Sequence, residues 1–283
     1  MLYMTETKKI MERHKICAKR ALGQNFLANP EAAKKIARLS LANLSGGDCA
    51  AIEIGPGLGA LTIELCKIYK KVVAVELDRA FEPCLSALGC DNLKAVYADF
   101  LELDVEALLM QELPDIKNIN ICANLPYYIT TPVILKIIRG AFKAVTVMVQ
   151  KEAADKLCAN AGSANYCETS ALVSYFGVAR KLFNVPRSDF YPQPNILSTV
   201  VQIIPRRACE PKDEQLFFAV IRAAFGQRRK TLVNALAAQV ALDKQKIAGI
   251  VKKITGNANI RGENLNIMEF AGISDLIRED LPL

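Results

Sequence analysis

A glycine-rich stretch at residues 50–62 constrains the fold more than any other part of the chain. Ala50–Ile54 is short and mostly apolar, as in a buried strand, and apolar residues at helical spacing resume at Leu61–Ile68. Between these two runs lie Gly55, Gly57 and Gly59. Glycines between a strand and a helix let the backbone approach a ligand beside free N–H groups. The stretch predicts a nucleotide-type ligand, although a simple connecting turn has the same pattern.

Strand and helix patterns alternate through the first two thirds of the chain. Four further runs have strand character: Lys71–Val75, Lys94–Ala98, Asn118–Ala123 and Val145–Val149. Helical patterns extend from a cap and proline at Asn29-Pro30 to about Leu44, and cover Ala80–Leu88 and Pro132–Arg139. A turn at Ser45-Gly46-Gly47-Asp48 leads into the glycine strand. This succession predicts an α/β fold with a mainly parallel sheet.

Polar residues stand where the predicted strands end. Ligands of open α/β sheets bind beyond the carboxyl ends of the strands, so Gly55, Glu76, Asp99 and Asn124 are expected to converge on one crevice. Glu76 follows the glycines at about the distance of an acid that accepts the two hydroxyls of a ribose. Taken singly, each acid is equally well explained as a solvated strand end.

The element Asn124-Leu125-Pro126-Tyr127 offers groups suited to a planar base. Asparagine supplies a carbonyl acceptor, proline supplies a backbone carbonyl without an N–H, and tyrosine supplies an aromatic face. Two acceptors can hold the exocyclic amine of a base. The alternative is a turn that follows a strand and buries its tyrosine.

Composition narrows the class of protein. With 283 residues, 52% hydrophobic and 23% charged, the chain has room for one large and one small domain with a sizeable core. Apolar runs are too short for a membrane span, and no secretory signal is evident, so a cytoplasmic location is expected. Nine cysteines without a C-x-x-C motif are interpreted as small buried hydrophobes in a reducing compartment. The single histidine, His14, makes histidine-based metal or triad chemistry improbable.

The net charge of +7 is unevenly distributed. Basic residues concentrate in the first twenty positions, at Arg206-Arg207 and at Arg228-Arg229-Lys230, which favours a phosphate-facing surface over mere solvation. The basic residues 1–21 are expected to be partly disordered until a partner binds. Three helical patterns follow Pro205: Lys212–Ala238, Leu242–Ile254 and Ile267–Arg278. The predicted organisation is therefore a basic segment at 1–21, an α/β domain at 22–205 and a helical domain at 206–283.

The ordered set of motifs resembles one family. The chain is similar over nearly its whole length to the small-subunit (16S-type) ribosomal RNA adenine dimethyltransferases, the kasugamycin-resistance methylase family. The matching motifs are Gln24-Asn25-Phe26-Leu27, Glu53-Ile54-Gly55-Pro56-Gly57, Glu76-Leu77-Asp78, Ala98-Asp99, Asn124-Leu125-Pro126-Tyr127, Gln150-Lys151-Glu152, Phe190-Tyr191-Pro192-Gln193-Pro194 and Phe225-Gly226-Gln227-Arg228-Arg229-Lys230-Thr231-Leu232.

This resemblance implies a Rossmann-like, seven-stranded methyltransferase sheet that uses S-adenosylmethionine, followed by a small all-helical domain. It implies cofactor contacts at Asn25, Leu27, Gly55, Gly57, Glu76, Leu77, Asp99, Phe100 and Asn124. The target adenine would be held by Asn124, Pro126 and Tyr127, with Phe190 stacked on it, and RNA would contact Arg228, Arg229 and Lys230. No metal is implied.

The activity implied is dimethylation of N6 in two adjacent adenosines near the 3′ end of small-subunit ribosomal RNA. The partner would be this RNA or a pre-ribosomal small subunit, and the enzyme would be a monomer that needs no membrane. Alternatives are a nicotinamide oxidoreductase, an adenine methyltransferase acting on large-subunit RNA or DNA, and an assembly factor whose main role is RNA binding. Departures from the family pattern at Ala164, Cys167, Glu168 and 195–197 put family-like RNA contacts at those positions in question.

Overall fold

The computed structural model describes residues 2–19, 23–42, 44 and 48–281. The chain divides into two compact units, one of Met1–Ala154 with Ala179–Pro205 and one of Asp155–Val178 with Arg206–Leu283. The division after Pro205 coincides with the predicted boundary. Residues 155–178 differ from the prediction because they belong to the second unit instead of a continuous α/β domain. The cause is aromatic packing, since the buried ring of Tyr175 lies 4.9 Å from that of Phe217.

The strands of the first unit form two sheets. In chain order the strands found in the described residues are β1 (Phe26–Leu27), β2 (Cys49–Ile54), β3 (Lys71–Glu76), β4 (Leu93–Tyr97), β5 (Asn118–Asn124), β6 (Ala144–Gln150), β7 (Gly177–Val185), β8 (Phe190–Tyr191) and β9 (Ser198–Pro205). The short strands β1 and β8 pair antiparallel. The other seven form one sheet in the order β4-β3-β2-β5-β6-β9-β7, which confirms the predicted seven-stranded sheet.

The order of this sheet determines where a ligand can bind. β2 is parallel to β3 on one side and to β5 on the other, and β6 continues parallel to β5 while β9 runs antiparallel to β6. Every residue of β2 is buried. The chain leaves β2 toward β3 and β4, and later returns to the opposite side of β2 with β5. Such a reversal of strand order opens a crevice at the carboxyl ends of β2 and β5.

The helices agree with most of the predicted ones. In chain order they are α1 (Leu2–Arg13), α2 (Pro30–Ser40), α3 (Thr62–Cys66), α4 (Glu82–Ser86), α5 (Val105–Glu112), α6 (Thr130–Ile137), α7 (Lys151–Leu157), α8 (Glu168–Phe176), α9 (Glu214–Gly226), α10 (Leu232–Ala237), α11 (Lys244–Thr255) and α12 (Ile267–Asp280). Helices α9 to α12, with α8, make the second unit the predicted helical domain. Within the part of the chain described, no helix is both long and apolar enough to span a membrane.

Helix α2 shows how local sequence sets an element's limits. The Asn29 side chain accepts a hydrogen bond from the Glu31 N–H at 3.0 Å, and Pro30 occupies the first turn, as the sequence predicts. The helix ends at Ser40 and not near Leu44, because Ala42 has a φ of 54° in the left-handed region. The predicted turn at Ser45-Gly46-Gly47 lies outside the described residues.

Leu2–Arg13 of the N-terminal segment form the helix α1, where partial disorder was expected. On α1, Lys8 lies 3.8 Å from Glu12 and Lys9 lies 3.6 Å from Glu6, at helical spacing. Met11 and Ile16 are buried with Phe26 and Phe81 in an apolar cluster. The segment is basic overall, but Met11 and Ile16 give it apolar side chains that pack against Phe26 and Phe81.

Candidate cofactor and substrate site

The glycine loop is a tight turn that only glycine accommodates well. Gly55, Gly57 and Gly59 have φ values of 69°, 55° and 84°, in the left-handed region. A Cβ atom on Gly59 would lie 2.7 Å from the Leu88 side chain, and one on Gly57 would lie 3.2 Å from the Phe26 ring. The loop therefore brings bare backbone to the crevice between β2 and α3.

The residues predicted at the strand ends lie around one cavity of the first unit. Its lining includes Asn25, Leu27, Gly55, Gly57, Glu76, Leu77, Asp99, Phe100, Asn124, Pro126 and Tyr127. The predicted convergence of Gly55, Glu76, Asp99 and Asn124 is thereby confirmed. Their individual contacts to a ligand remain predictions.

Glu76 is a buried carboxylate held by backbone donors. Its two oxygens accept hydrogen bonds from the Gly57 N–H at 3.0 Å and from the Asp78 N–H at 2.9 Å. Burial raises the pKa of Glu76, and these N–H donors oppose the rise by stabilising the ionised form. Each oxygen keeps a lone pair, so the group can accept hydrogen bonds from two neighbouring hydroxyls.

Glu53 is a second acid of this cavity that the sequence reasoning did not assign a role. Its side chain is 1% exposed, and Oε2 has no hydrogen-bond partner among the described residues. Burial and the nearby Glu76 raise its pKa to about 8. A buried acid with one oxygen left without a partner is stabilised by a cation, and S-adenosylmethionine carries a sulfonium and an ammonium group. The acids of the cavity therefore fit this cofactor.

The turn after β4 carries Asp99 and Phe100. The Asp99 carboxylate accepts a hydrogen bond from the Leu101 N–H at 2.8 Å. From α6, the Lys136 ammonium donates to the carbonyls of Leu101 at 2.6 Å and Leu103 at 2.7 Å. Lys136 thus fixes the turn that would face the adenine of the cofactor.

The Asn124 to Tyr127 element is also fixed by contacts. The Asn124 amide nitrogen donates to the Asn25 carbonyl at 3.2 Å, which leaves the amide oxygen as the acceptor for a ligand. The Pro126 carbonyl accepts long hydrogen bonds from the Ile129 N–H at 3.3 Å and the Thr130 hydroxyl at 3.4 Å. The Tyr127 hydroxyl lies 3.0 Å from that of Ser198.

Comparisons with known proteins agree with this arrangement. The family model for ribosomal RNA adenine dimethylase matches residues 16–278. A Ribosomal RNA small subunit methyltransferase A from Geobacillus kaustophilus is 40% identical over 280 residues, covering 96% of this chain and 94% of the relative. The chain belongs to the ribosomal RNA adenine dimethylase family. This result confirms the predicted family and S-adenosylmethionine as the methyl donor. The alternative of a nicotinamide oxidoreductase is therefore wrong.

Solved structures add the shared fold. A dimethyladenosine transferase from Plasmodium falciparum has a TM-score of 0.71 at 27% identity, covering 88% of this chain and 95% of its own. A 23S rRNA methyltransferase, ErmE, has a TM-score of 0.68 at 19% identity, covering 89% and 99%. The latter likeness shows the fold alone, so the fold by itself does not decide which ribosomal RNA is the substrate.

Phe190 does not take the position that the family resemblance predicts. Its side chain is 0% exposed, it pairs with Leu27 through β8 and β1, and it packs in a core cluster with residues such as Met148 and Val200. The prediction that its ring stacks on the target base is wrong for this structure, because the ring fills the core. The aromatic side chain exposed at the cavity is Tyr128, 55% exposed, which the sequence reasoning missed although it directly follows Tyr127.

We expect Phe190→Ala to lower the free energy of unfolding by about 3–5 kcal/mol, because it leaves a cavity in the core. Tyr128→Ala is the matched control, since it removes an aromatic side chain from a largely exposed position and should change the stability by less than about 1 kcal/mol. Urea unfolding followed by circular dichroism measures both values. Equal stabilities of the two variants would contradict the structural role of Phe190.

The basic cluster of the second unit also differs from the prediction. Arg228, Arg229 and Lys230 lie in a turn after α9, which ends at Gly226, and not on a helix. The Arg228 guanidinium contacts the Glu263 carboxylate at 3.1 Å, so its charge is already paired. Arg229 and Lys230 are exposed. They are the members of the cluster best placed to meet a phosphate.

The remaining titratable groups give no sign of a metal centre. Within residues 2–19, 23–42, 44 and 48–281, no group of three or more histidine, cysteine, aspartate or glutamate side chains is arranged to hold a metal ion. Among the cysteines, Cys49, Cys84 and Cys122 are buried as expected and Cys17 is exposed.

Proposed function

We propose that this protein transfers two methyl groups in succession to N6 of each of two adjacent adenosines near the 3′ end of small-subunit ribosomal RNA. The observation that carries the proposal is the placement of Asn124 and Pro126 in the same cavity as the glycine loop and Glu76. The named small-subunit methyltransferase relative supports the choice of RNA.

In this proposal the carboxyl ends of β2, β3 and β4 hold the cofactor. Glu76 would accept hydrogen bonds from the two ribose hydroxyls, Asp99 would accept one from the adenine amine, and Glu53 would face the positively charged methionine part. S-adenosylmethionine supplies a methyl group on a sulfonium, which is electrophilic enough for direct displacement. The backbone of Gly55 and Gly57 allows the cofactor to approach closely.

The target base would be held at the end of β5. The Asn124 amide oxygen and the Pro126 carbonyl would each accept a hydrogen bond from one N–H group of the adenine amine, which favours the pyramidal nitrogen that attacks the methyl group. The Pro126 carbonyl already accepts two long hydrogen bonds, from Ile129 and Thr130. To bind the adenine amine it would accept a third, shorter hydrogen bond, or the amine would replace one of these two donors. Tyr127 supplies an aromatic face, and stacking is worth about 1–3 kcal/mol per base, against the few kcal/mol needed to extrude an adenosine. The N–C bond would form as the bond between the methyl group and sulfur breaks, and the methylated nitrogen would then release one proton to water, so a strong general base is not needed.

We further propose that the enzyme acts as a monomer in the cytoplasm on the ribosomal RNA or on a pre-ribosomal small subunit. Nine scattered cysteines without a C-x-x-C motif support a reducing compartment. Exposed Arg229 and Lys230 support contact with a phosphate backbone.

Labelled S-adenosylmethionine distinguishes this substrate from the alternatives. The protein is incubated with separate small subunits, large subunits, naked ribosomal RNA and DNA from a source that lacks the modification. Label is expected in small-subunit RNA, free or assembled. Transfer to large-subunit RNA or DNA would identify another adenine methyltransferase, and RNA binding without transfer would favour an assembly factor.

Replacing Arg229 and Lys230 together by alanine is expected to reduce the slope of log affinity against log salt by about 1.4–1.8, since each phosphate contact contributes roughly 0.7–0.9. Arg228→Ala is the matched control, because its charge is paired with Glu263 and its loss should change the slope less. RNA binding measured by filter retention at several salt concentrations gives the slopes. If the double variant keeps the slope and affinity of the original protein, the two residues form only a solvated surface.

A further inference from the structure

We propose that Lys19 is a positioning residue for S-adenosylmethionine, acting through Asp78 on Glu76. This inference rests on the proposed role of Glu76 as the ribose acceptor. The Lys19 ammonium lies 2.6 Å from the Asp78 carboxylate, across 59 positions of sequence. The Asp78 side chain is only 12% exposed, so the ion pair is shielded on its acidic side.

Asp78 uses each of its polar groups for a different contact. One carboxylate oxygen accepts from Lys19, the other accepts from the Ala80 N–H at 3.1 Å, and the Asp78 N–H donates to Glu76. The orientation of the Asp78 backbone therefore sets one of the two hydrogen bonds that hold the Glu76 carboxylate. Lys19, which lies far from β3 in the sequence, restrains the Asp78 side chain. Its positive charge also offsets the negative charge of Asp78 beside the buried Glu76.

Lys19 also restrains the segment that carries Asn25 and Leu27. Its backbone N–H donates to the Gln24 side-chain oxygen at 2.8 Å. The next residue, Asn25, accepts from the Asn124 amide through its carbonyl. One lysine is thus joined to two parts of the cavity, the ribose acceptor at the end of β3 and the wall that precedes β1.

The sequence provides a closely matched control in Lys67. Its ammonium lies 2.6 Å from the Glu64 carboxylate, the lysine side chain is 59% exposed and the glutamate side chain 13% exposed. In the Lys19–Asp78 pair the lysine side chain is 54% exposed. Lys67 has the same ion-pair distance and a similar exposure, but its partner Glu64 is not one of the two residues, Gly57 and Asp78, whose N–H groups hold Glu76. Lys67→Met therefore measures the general effect of removing a half-exposed ion pair, and Lys19→Met measures that effect together with any positioning effect.

The test compares Lys19→Met, Lys19→Arg, Lys67→Met, Asp78→Asn and the double variant Lys19→Met with Asp78→Asn. Calorimetry without RNA gives the Kd for S-adenosylmethionine, and steady-state kinetics gives KM for each substrate. We expect Lys19→Met to raise the Kd about fivefold, which corresponds to roughly 1 kcal/mol. Lys19→Arg should restore the Kd to within about twofold, and Lys67→Met should leave it unchanged.

If Lys19 acts through Asp78, the double variant should bind the cofactor no more weakly than Asp78→Asn alone. An unchanged Kd in Lys19→Met, or a raised KM for RNA with an unchanged KM for the cofactor, would overturn the proposal, and the second result would assign Lys19 to the RNA. Additive losses in the double variant would also overturn it. Because the Kd is measured without RNA, failure of the proposed RNA substrate would not affect these outcomes. If Glu76→Ala binds S-adenosylmethionine with an unchanged Kd, the proposed role of Glu76 as the ribose acceptor is wrong.

Discussion

Asn124→Ala is expected to lower kcat by about 10²–10³, the cost of removing one hydrogen-bond acceptor or donor that acts in the transition state. The structure also predicts a modest rise in the Kd for S-adenosylmethionine, because the Asn124 amide nitrogen holds the Asn25 carbonyl at 3.2 Å. Initial-rate assays and calorimetry separate the two effects.

Asn118→Ala is the matched control for this variant. Asn118 begins β5 and Asn124 ends it, so the control removes the same side chain from the opposite end of the same strand. It should leave kcat and the Kd unchanged. If Asn124→Ala keeps more than about a tenth of the original kcat, the amide is not the acceptor for the amine.

The role of Asn124 also predicts a change in the ratio of monomethyl to dimethyl product. Monomethyladenosine has one N–H left, so the Asn124 oxygen and the Pro126 carbonyl cease to be equivalent acceptors. Loss of one acceptor should therefore change the ratio of monomethyl to dimethyl product at matched turnover. Phe190→Ala is not expected to share this change in ratio, because its buried ring predicts a loss of stability instead.

Glu76→Ala is expected to raise the Kd for S-adenosylmethionine about 10- to 100-fold, since hydrogen bonds to a charged group contribute roughly 1.5–3 kcal/mol. The variant removes the acceptor of the ribose hydroxyls and leaves the Gly57 and Asp78 N–H groups without their partner. Glu102→Ala is the control, because Glu102 is an exposed acid beyond the end of β4 that does not line the cavity. Calorimetry provides both values, and similar Kd values for the two variants would contradict the assignment.

The sheet and the cofactor side of the cavity were predictable because their signals are local. Apolar runs interrupted by Gly55, Glu76, Asp99 and Asn124 mark both the strands and their carboxyl ends, and parallel strands bring those ends together. The order of motifs then identified the family. Short-range sequence patterns therefore supplied most of the site.

The parts that were missed depend on contacts between distant residues. Phe190 reads as an aromatic available for stacking, but its burial follows from its pairing with Leu27. The helix α1 looks basic in sequence, and its apolar packing through Met11 depends on residues far along the chain. Arg228 looks like a free cation until the fold places Glu263 beside it. Residues 155–178 join the helical unit through Tyr175, a contact that no local pattern encodes.

Nucleoside mass spectrometry of the RNA product tests the central claim most directly. Small-subunit RNA lacking the modification is treated with the protein and saturating S-adenosylmethionine, then digested to fragments and nucleosides. The proposed function predicts N6,N6-dimethyladenosine at two adjacent positions near the 3′ end, with monomethyladenosine appearing only transiently. Product that stops at monomethyladenosine, or RNA that remains unmodified although the protein binds the cofactor, would contradict the proposed function.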